Sequence, residues 1–282
     1  QMLRDGYSPW AVGLLLALFA AAPVLFALRA GRLADRQGYH RPVHLSVALS
    51  VLGCGLALAS TFLSGGWHFA LLCGAAMATG TGANTGMLTI QRSAGLAAGS
   101  SVERMRVFSW LGMAPSFANV IGPVAVGFMI DAYGFAAGYA LLLLMPLATL
   151  MSARQVPRSA PAAARPAAAG GTAWDLLRTP GLKRLLLVNW LLSMAWDVHT
   201  FAVPILGHER GFNASTIGLV LGAFTLSVTA VRAVIPLLAH RLREAAVVHA
   251  AMLAAAVVCA RYPLAPHAWL LGGCALLLGI AL

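Results

Sequence analysis

One carboxylate lies well inside an apolar stretch of the sequence, where it is a candidate for binding a proton. Asp197 is about midway along residues 185–206. Polar residues at helical spacing place it in a stripe with Asn189, Ser193 and Thr200. An ionised acid in lipid is expensive, so such a residue marks a functional site by default, and burial favours the neutral carboxyl. Asp197 either binds a proton in a cavity or lies near the outer membrane surface, where it contacts water or His199.

Two further polar residues lie inside apolar stretches, and each has two interpretations. Arg232 comes late in residues 215–239; it either extends its side chain to the membrane surface or recognises an anion. Asn84 lies among glycines and threonines in residues 68–91. Close helix packing explains most small residues of that kind, whereas Asn84 is a candidate for lining a cavity.

The elements that position these residues follow from composition. The 282 residues are 60% apolar and only 10% charged, with a mean hydropathy of +0.82. Soluble domains carry about 25% charged residues, so this is the composition of a membrane protein. The net charge of +11 does not indicate nucleic-acid binding, because the basic residues lie between apolar stretches and form no basic face with aromatic residues.

The apolar stretches predict eight complete membrane spans and one incomplete span. They are 9–30, 43–62, 68–91, 107–130, 135–153, 185–206, 215–239, 246–263 and, incomplete, 268–282. A spanning helix needs about 20 mostly apolar residues. These stretches are too long, and alternate too little, to be barrel strands, and only helices or closed barrels satisfy their backbone in lipid. The predicted fold is therefore all-α.

Basic residues between the spans predict the orientation. Fifteen of them flank alternate loops, including Arg92, Arg154 and Lys183, whereas the opposite side has only Arg4, Arg210 and Arg261. The positive-inside rule places the first group in the cytoplasm. We expect a multi-pass protein of the cell inner membrane, with the lipid bilayer as its surroundings.

The one long connection divides the chain into two halves. Residues 1–153 are predicted to form an N-terminal helix bundle, 154–184 a cytoplasmic linker rich in Ala, Pro and Arg, and 185–282 a C-terminal bundle. The halves are related by a shift of 205 residues, which aligns Phe19 with Phe224 and Arg36 with Arg241. Internal duplication of a helix bundle is typical of transporters.

A polar, basic segment follows the first span, and its pattern resembles a known motif. The pattern is a glycine, three residues, Asp, a basic residue, one residue and a second glycine; it is matched by Gly31, Asp35, Arg36 and Gly38. It is similar to the loop between helices 2 and 3 of the major facilitator superfamily. Tyr39 and His40 stand where that family usually has basic residues, and Arg41 replaces part of the lost charge.

The resemblance implies a fold of twelve helices in two six-helix bundles. It assigns the nine predicted spans to helices 2–10, so that 1–153 carries helices 2–6 and 185–282 carries helices 7–10. We therefore expect a fragment that lacks helix 1 and helices 11 and 12. In this family the motif helps to hold the two bundles together on the cytoplasmic side, a role that the resemblance transfers to Gly31, Asp35, Arg36, Gly38 and Arg41.

The fourth predicted span carries a second motif. Gly112, Asn119, Gly122, Pro123 and Gly127 resemble the helix 5 motif of exporters in the same family, although Ala118 and Val126 stand where glycine is usual. Small residues allow close helix approach, and proline bends a helix. The motif therefore indicates either export or the ordinary packing of a bent helix.

These features predict a secondary transporter that works by alternating access. We expect proton-coupled efflux of a small organic compound, with uptake of a small metabolite such as an organic acid or sugar as the alternative. A non-transporting membrane scaffold or sensor is the alternative from another class. Nucleophile motifs, phosphate loops and metal-binding spacings are missing from the sequence, so we expect no enzyme activity, no cofactor and no metal. We expect a monomer.

Overall fold

The computed structural model describes residues 1–155, 180–238 and 244–282. Side chains are described there except at residues 27–37, 97, 101–102, 104–105, 109, 180, 192, 235–238 and 244–246. Almost all of the described residues are helical, and none of them is in a strand. The prediction of an all-α fold is confirmed.

The described residues form nine α-helices. They are α1 (Pro9–Gln37), α2 (His40–Ser60), α3 (Gly65–Ala97), α4 and α5 (together Ser101–Ala153), α6 (Pro180–Glu209), α7 (Ala214–Leu238), α8 (Glu244–Arg261) and α9 (Ala268–Ala281). α4 (101–133) and α5 (135–153) meet at Gly134, whose φ of 84° and ψ of 176° interrupt the helix. Only glycine adopts such a φ at little cost, so this residue separates the two helices.

Local chemistry determines several helix ends. Pro9 is the first residue of α1, a position where its fixed φ suits the helix and its missing N–H is not needed. The Glu103 N–H donates to Ser100 Oγ at 3.1 Å, and Glu103 Oε2 accepts from the Gly99 N–H at 2.9 Å. This reciprocal arrangement satisfies backbone donors at the start of α4, much as a capping box does.

The helices at the first basic segment extend beyond the predicted spans. The sequence predicts a polar hairpin over residues 31–42, but the backbone is helical through Gln37 and again from His40. The turn consists of Gly38, with a φ of 70°, and Tyr39. A helix satisfies its own backbone hydrogen bonds inside or outside lipid, so charged residues can continue it past the hydrocarbon.

Six helical segments of the described chain are long and apolar enough to cross a membrane. One of them, Arg106–Ala153, covers both predicted spans 107–130 and 135–153. α3 has sufficient length but is not among these six, and its sequence is rich in Gly and Thr and includes Asn84. α9 is apolar but has only 14 residues. The structure thus supports a multi-pass membrane protein with fewer clear spans than the sequence predicts.

The helices pack as two units. One comprises Gln1–Gly112 and Ala132–Pro166, and the other comprises Met113–Asp131 and Ala167–Leu282. In the first unit α3 lies against α1 and α2, and in the second α7 lies against α9. Most of the predicted linker, residues 156–179, lies outside the described residues. The division into bundles 1–153 and 185–282 stays a prediction.

Small residues bring the helix backbones of the first unit together. A Cβ added at Gly80 would overlap the Phe19 carbonyl, so α3 and α1 touch through their backbones there. On the α2 side, Ser46 Oγ donates a 2.7 Å hydrogen bond to the Gly82 carbonyl. Helix association in lipid depends on such close packing, because water does not drive apolar surfaces together there.

Large apolar side chains cover much of the outer surface. Trp10, Phe62 and Trp67, for example, are each more than 70% exposed. Soluble monomers rarely expose extensive apolar area, whereas the lipid-facing surface of a membrane protein is apolar. The exposed surface therefore agrees with the hydropathy of the helices.

Candidate functional site

The residues of the first motif lie where α1 ends and α2 begins. Gly31, Asp35 and Arg36 are in the last turns of α1, and the side chains of Asp35 and Arg36 lie outside the described part of the structure. Gly38 forms the turn that follows, and Arg41 is exposed in the first turn of α2. The cytoplasmic role of the motif stays a prediction.

The polar stripe of α6 lies on the face that does not pack into its own unit. Asn189, Ser193 and Asp197 are exposed, and Thr200 is half-buried. Thr200 Oγ1 donates a 3.0 Å hydrogen bond to the Asp197 carbonyl oxygen. Among the described residues, the second unit therefore leaves the Asp197 carboxylate without an apolar cover and available to water or a ligand.

His199 determines which face of α6 packs inward. Its side chain is fully buried, and its Nδ1 lies 2.5 Å from the Tyr262 hydroxyl, in the turn after α8. Its ring also packs on Phe224 of α7, with centroids 4.0 Å apart. Residues two apart point to nearly opposite sides of a helix, so burying His199 turns Asp197 outward.

The other ring nitrogen of His199 is a buried polar atom without a protein partner. Nε2 has no hydrogen bond to any described residue. Trp196 and Phe224 pack edge to face beside it, with centroids 4.7 Å apart. An unsatisfied buried nitrogen is unfavourable and needs an explanation such as an ordered water or a further polar group. The sequence identified His199 only as a neighbour of the stripe.

Part of the helix 5 motif forms an antiparallel contact between α4 and α7. A Cβ at Gly127 would lie 2.5 Å from the Ala214 carbonyl oxygen. One turn away, Gly218 lies directly against the Pro123 carbonyl, and a Cβ at Gly222 would lie 3.1 Å from the Val120 carbonyl. We call this the α4–α7 contact. It requires glycine at positions 127 and 218.

The remaining residues of that motif do not take part in this contact. A Cβ added at Gly112 or Gly122 would meet none of the described atoms outside its own helix backbone within 4 Å, and Asn119 is exposed. The glycines of one motif therefore differ in what they do: Gly127 is required for close packing, and the other two leave space beside the helix.

Asp131 completes the α4–α7 contact, and sequence reasoning missed it. Its Oδ1 accepts the Ala214 N–H at 3.0 Å, and its Oδ2 accepts the Ser215 N–H at 2.6 Å. The next donor, the Thr216 N–H, bonds to Asn213 Oδ1 at 3.1 Å. A carboxylate at a helix N-terminus satisfies backbone donors and interacts favourably with the helix dipole. The signal was an acid about one helical turn after the last glycine of the helix 5 motif.

Replacing Asp131 by Ala should loosen the start of α7. The loss of a capping side chain costs about 1 kcal/mol, and here two donors lose their acceptor. We expect faster amide hydrogen exchange at residues 214 and 215 in the detergent-solubilised protein. Asp131→Asn retains one acceptor and should fall between wild type and Ala. Glu209→Ala, which removes an exposed acid from the end of α6, is the control. Unchanged exchange in Asp131→Ala would contradict the capping role.

The last two candidates are exposed polar residues. Asn84 is exposed on α3, while Thr81, Thr85 and Thr89 are buried on another face. The hydroxyls of Thr85 and Thr89 donate to carbonyls one turn earlier, so these threonines serve helix packing. Arg232 is exposed near the end of α7. The structure does not bring Asn84, Arg232 and Asp197 together within one packing unit.

The architecture defines a class of protein: a polytopic helical membrane protein with helices joined by small residues and a polar stripe on one exposed face. No group of three or more His, Cys, Asp or Glu residues within the described residues is arranged to hold a metal ion.

Comparison with known families agrees with this class. The model of the Major Facilitator Superfamily matches residues 2–282, and the chain therefore belongs to that family. No curated protein sequence matches the chain. Membership establishes a secondary transporter of small molecules in general terms, since the family consists of transporters and not enzymes.

Proposed function

We propose that this chain exports small organic compounds in exchange for protons, by alternating access across the inner membrane. The observation that carries the proposal is the α4–α7 contact. Two residues of the exporter-type motif, Pro123 and Gly127, supply its backbone surface on α4. The motif therefore forms a specific interhelical contact in this chain, and its link to export rests on the resemblance to the helix 5 motif of the family's exporters.

Asp197 is the proposed proton carrier. It lies within the candidate span Gly181–Glu209, and its side chain is exposed. A carboxyl in such a place takes up a proton while the cavity is open to the acidic side, is neutral while the cavity is closed, and releases the proton when the cavity opens to the alkaline cytoplasm. His199 acts as a positioning residue, because its buried bond to Tyr262 orients α6.

In the proposed cycle, the two motifs supply contacts on opposite sides of the membrane. Gly31, Asp35, Arg36, Gly38 and Arg41 hold the cytoplasmic side closed while the cavity faces outward. Asp131 and the α4–α7 contact lie at the predicted outer end of their helices, where the chain from α6 enters α7. Alternating access requires each closure to be stable but reversible, so that either end opens in turn.

The test is an antiport assay in everted membrane vesicles. An acid-inside proton gradient is imposed and recorded with a pH-sensitive dye, and a panel of lipophilic cations, neutral drugs and organic acids is added. We expect proton leakage with one compound class. Vesicles without the protein are the control. No leakage with any compound would contradict proton-coupled export and favour uptake, another coupling ion or a non-transporting scaffold or sensor.

Uptake of an organic acid is the second candidate, because Arg232 is an exposed cation near the end of a spanning helix. A guanidinium recognises a carboxylate through two parallel hydrogen bonds. Accumulation of a labelled organic acid in right-side-out vesicles, and its loss in Arg232→Gln, would favour this candidate over export.

A further inference from the structure

A cavity of about 690 Å³ lies between the start of α2 and the end of α5, within the first packing unit. It is lined by His40, His44 and Arg154 where α2 begins and α5 ends, and we call this end the mouth. Further along the same helices it is lined by Val47, Val51 and Leu150, which we call the floor. The cavity therefore has cationic and hydrogen-bond-donating side chains at one end and an apolar surface next to them.

The floor of the cavity is a packed wall. Val43, Val47 and Ala153 form a buried cluster, against which Val51 and Leu150 pack. From His44 to Val51 the α2 surface rises seven residues, or about 10 Å at the usual helical rise. The apolar surface is therefore long enough to accompany the first part of an extended hydrocarbon chain.

The mouth is suited to a phosphate. His40 and His44 are one turn apart on α2, with ring centroids separated by 6.5 Å. Arg154 is exposed at the C-terminal end of α5, and none of the described residues that line the cavity is acidic. An imidazole donates a hydrogen bond in either charge state, and a guanidinium forms strong, charge-assisted bonds to phosphate.

The start of α2 adds to this preference for an anion. Its N-terminus carries a partial positive charge, and the Tyr39 side chain makes no capping hydrogen bond to it. The predicted topology places this end at the cytoplasmic surface, where anionic lipid headgroups are found. Both the charge of the mouth and its predicted position in the membrane therefore suit a lipid whose phosphate lies at the mouth and whose acyl chain lies along the floor.

We propose that this cavity binds one anionic phospholipid. Arg154, His44 and His40 contact the headgroup phosphate, and an acyl chain lies along Val47 and Leu150. Inorganic phosphate would contact only the mouth and leave the apolar floor empty. A zwitterionic lipid is less suitable because its own cationic group would be repelled by the positive charge at the mouth. This assignment does not depend on the direction or coupling of transport.

The test is native mass spectrometry of the full chain in detergent, with phosphatidylglycerol, phosphatidylethanolamine or inorganic phosphate added in turn. We expect one phosphatidylglycerol to remain bound under collision conditions that remove phosphatidylethanolamine. The double variant His44→Gln/Arg154→Gln should bind phosphatidylglycerol about tenfold more weakly. Arg154→Lys should retain part of the binding. Arg261→Gln removes one exposed cation at the predicted outer side and should leave binding unchanged.

A second variant tests the apolar floor. Leu147 is an exposed residue of the cavity wall, and Leu147→Trp fills the cavity without removing a charge. It should weaken phosphatidylglycerol binding and leave the melting temperature near that of wild type. Equal retention of both lipids, unchanged binding in the double variant, or displacement of the lipid by equimolar inorganic phosphate would overturn the proposal.

Discussion

Asp197→Asn should abolish transport driven by a proton gradient and leave the protein folded. Asparagine has nearly the same shape as aspartate but cannot bind and release a proton in the physiological range. Asp197 is exposed and lies on the face of α6 opposite the buried His199, so the change disturbs no packed contact of its unit. The expected effect is the loss of the coupling step itself, down to the signal of vesicles without the protein.

Two assays separate coupling from binding in this variant. Substrate-induced proton leakage in everted vesicles should disappear, whereas exchange of labelled substrate for unlabelled substrate, which needs no net proton movement, should persist. Glu209→Gln is the matched control, because it neutralises an exposed acid at the end of the same helix. Full gradient-driven transport by Asp197→Asn would show that another group carries the proton.

Gly127→Ala and Gly122→Ala should have opposite effects on stability. At Gly127 the new Cβ would lie 2.5 Å from the Ala214 carbonyl oxygen, so α4 and α7 must separate. Overpacking of this kind costs about 1–3 kcal/mol. At Gly122 none of the described atoms outside the helix's own backbone lies within 4 Å, and the better helix propensity of alanine contributes up to about 1 kcal/mol.

The comparison is made by thermal melting of the purified variants in detergent and by the antiport assay. Gly127→Ala should melt several degrees below wild type, since 1 kcal/mol shifts the melting temperature of chains of this size by about 2–4 °C. Its transport rate should also fall, because in the proposed cycle the α4–α7 contact closes and reopens. Equal melting temperatures for the two variants would mean that the contact does not contribute to stability.

The sequence identified several candidate residues but could not predict which neighbouring helix each of them contacts. The helix 5 motif contains three similar glycines, but only Gly127 faces a neighbouring backbone. In α3, Thr81 and Thr85 are buried while Asn84 is exposed, although all three belong to one polar region of the sequence. Periodicity indicates which residues share a face of a helix; it does not indicate which neighbour covers that face.

The positions of the helix ends were also predicted only in part from the sequence. The sequence predicts a hairpin from Gly31 to Pro42 because charge and glycine concentrate there. The backbone reverses only at Gly38 and Tyr39. Hydropathy marks where the hydrocarbon ends, whereas a helix ends where its backbone geometry changes, and the two positions differ when charged residues are good helix formers.

The all-α fold, the membrane class and the family were predictable without the structure, because about 20 apolar residues in lipid must form a helix and because the Gly31–Gly38 pattern is local. The capping of α7 by Asp131 was visible only in the folded chain, since the Asp131 carboxylate and the Ala214 N–H are 83 residues apart in the sequence. The folded chain also shows that His199 is buried against Tyr262 and Phe224, which turns Asp197 outward. Such contacts depend on which helix faces come together, and local patterns carry no information about that choice.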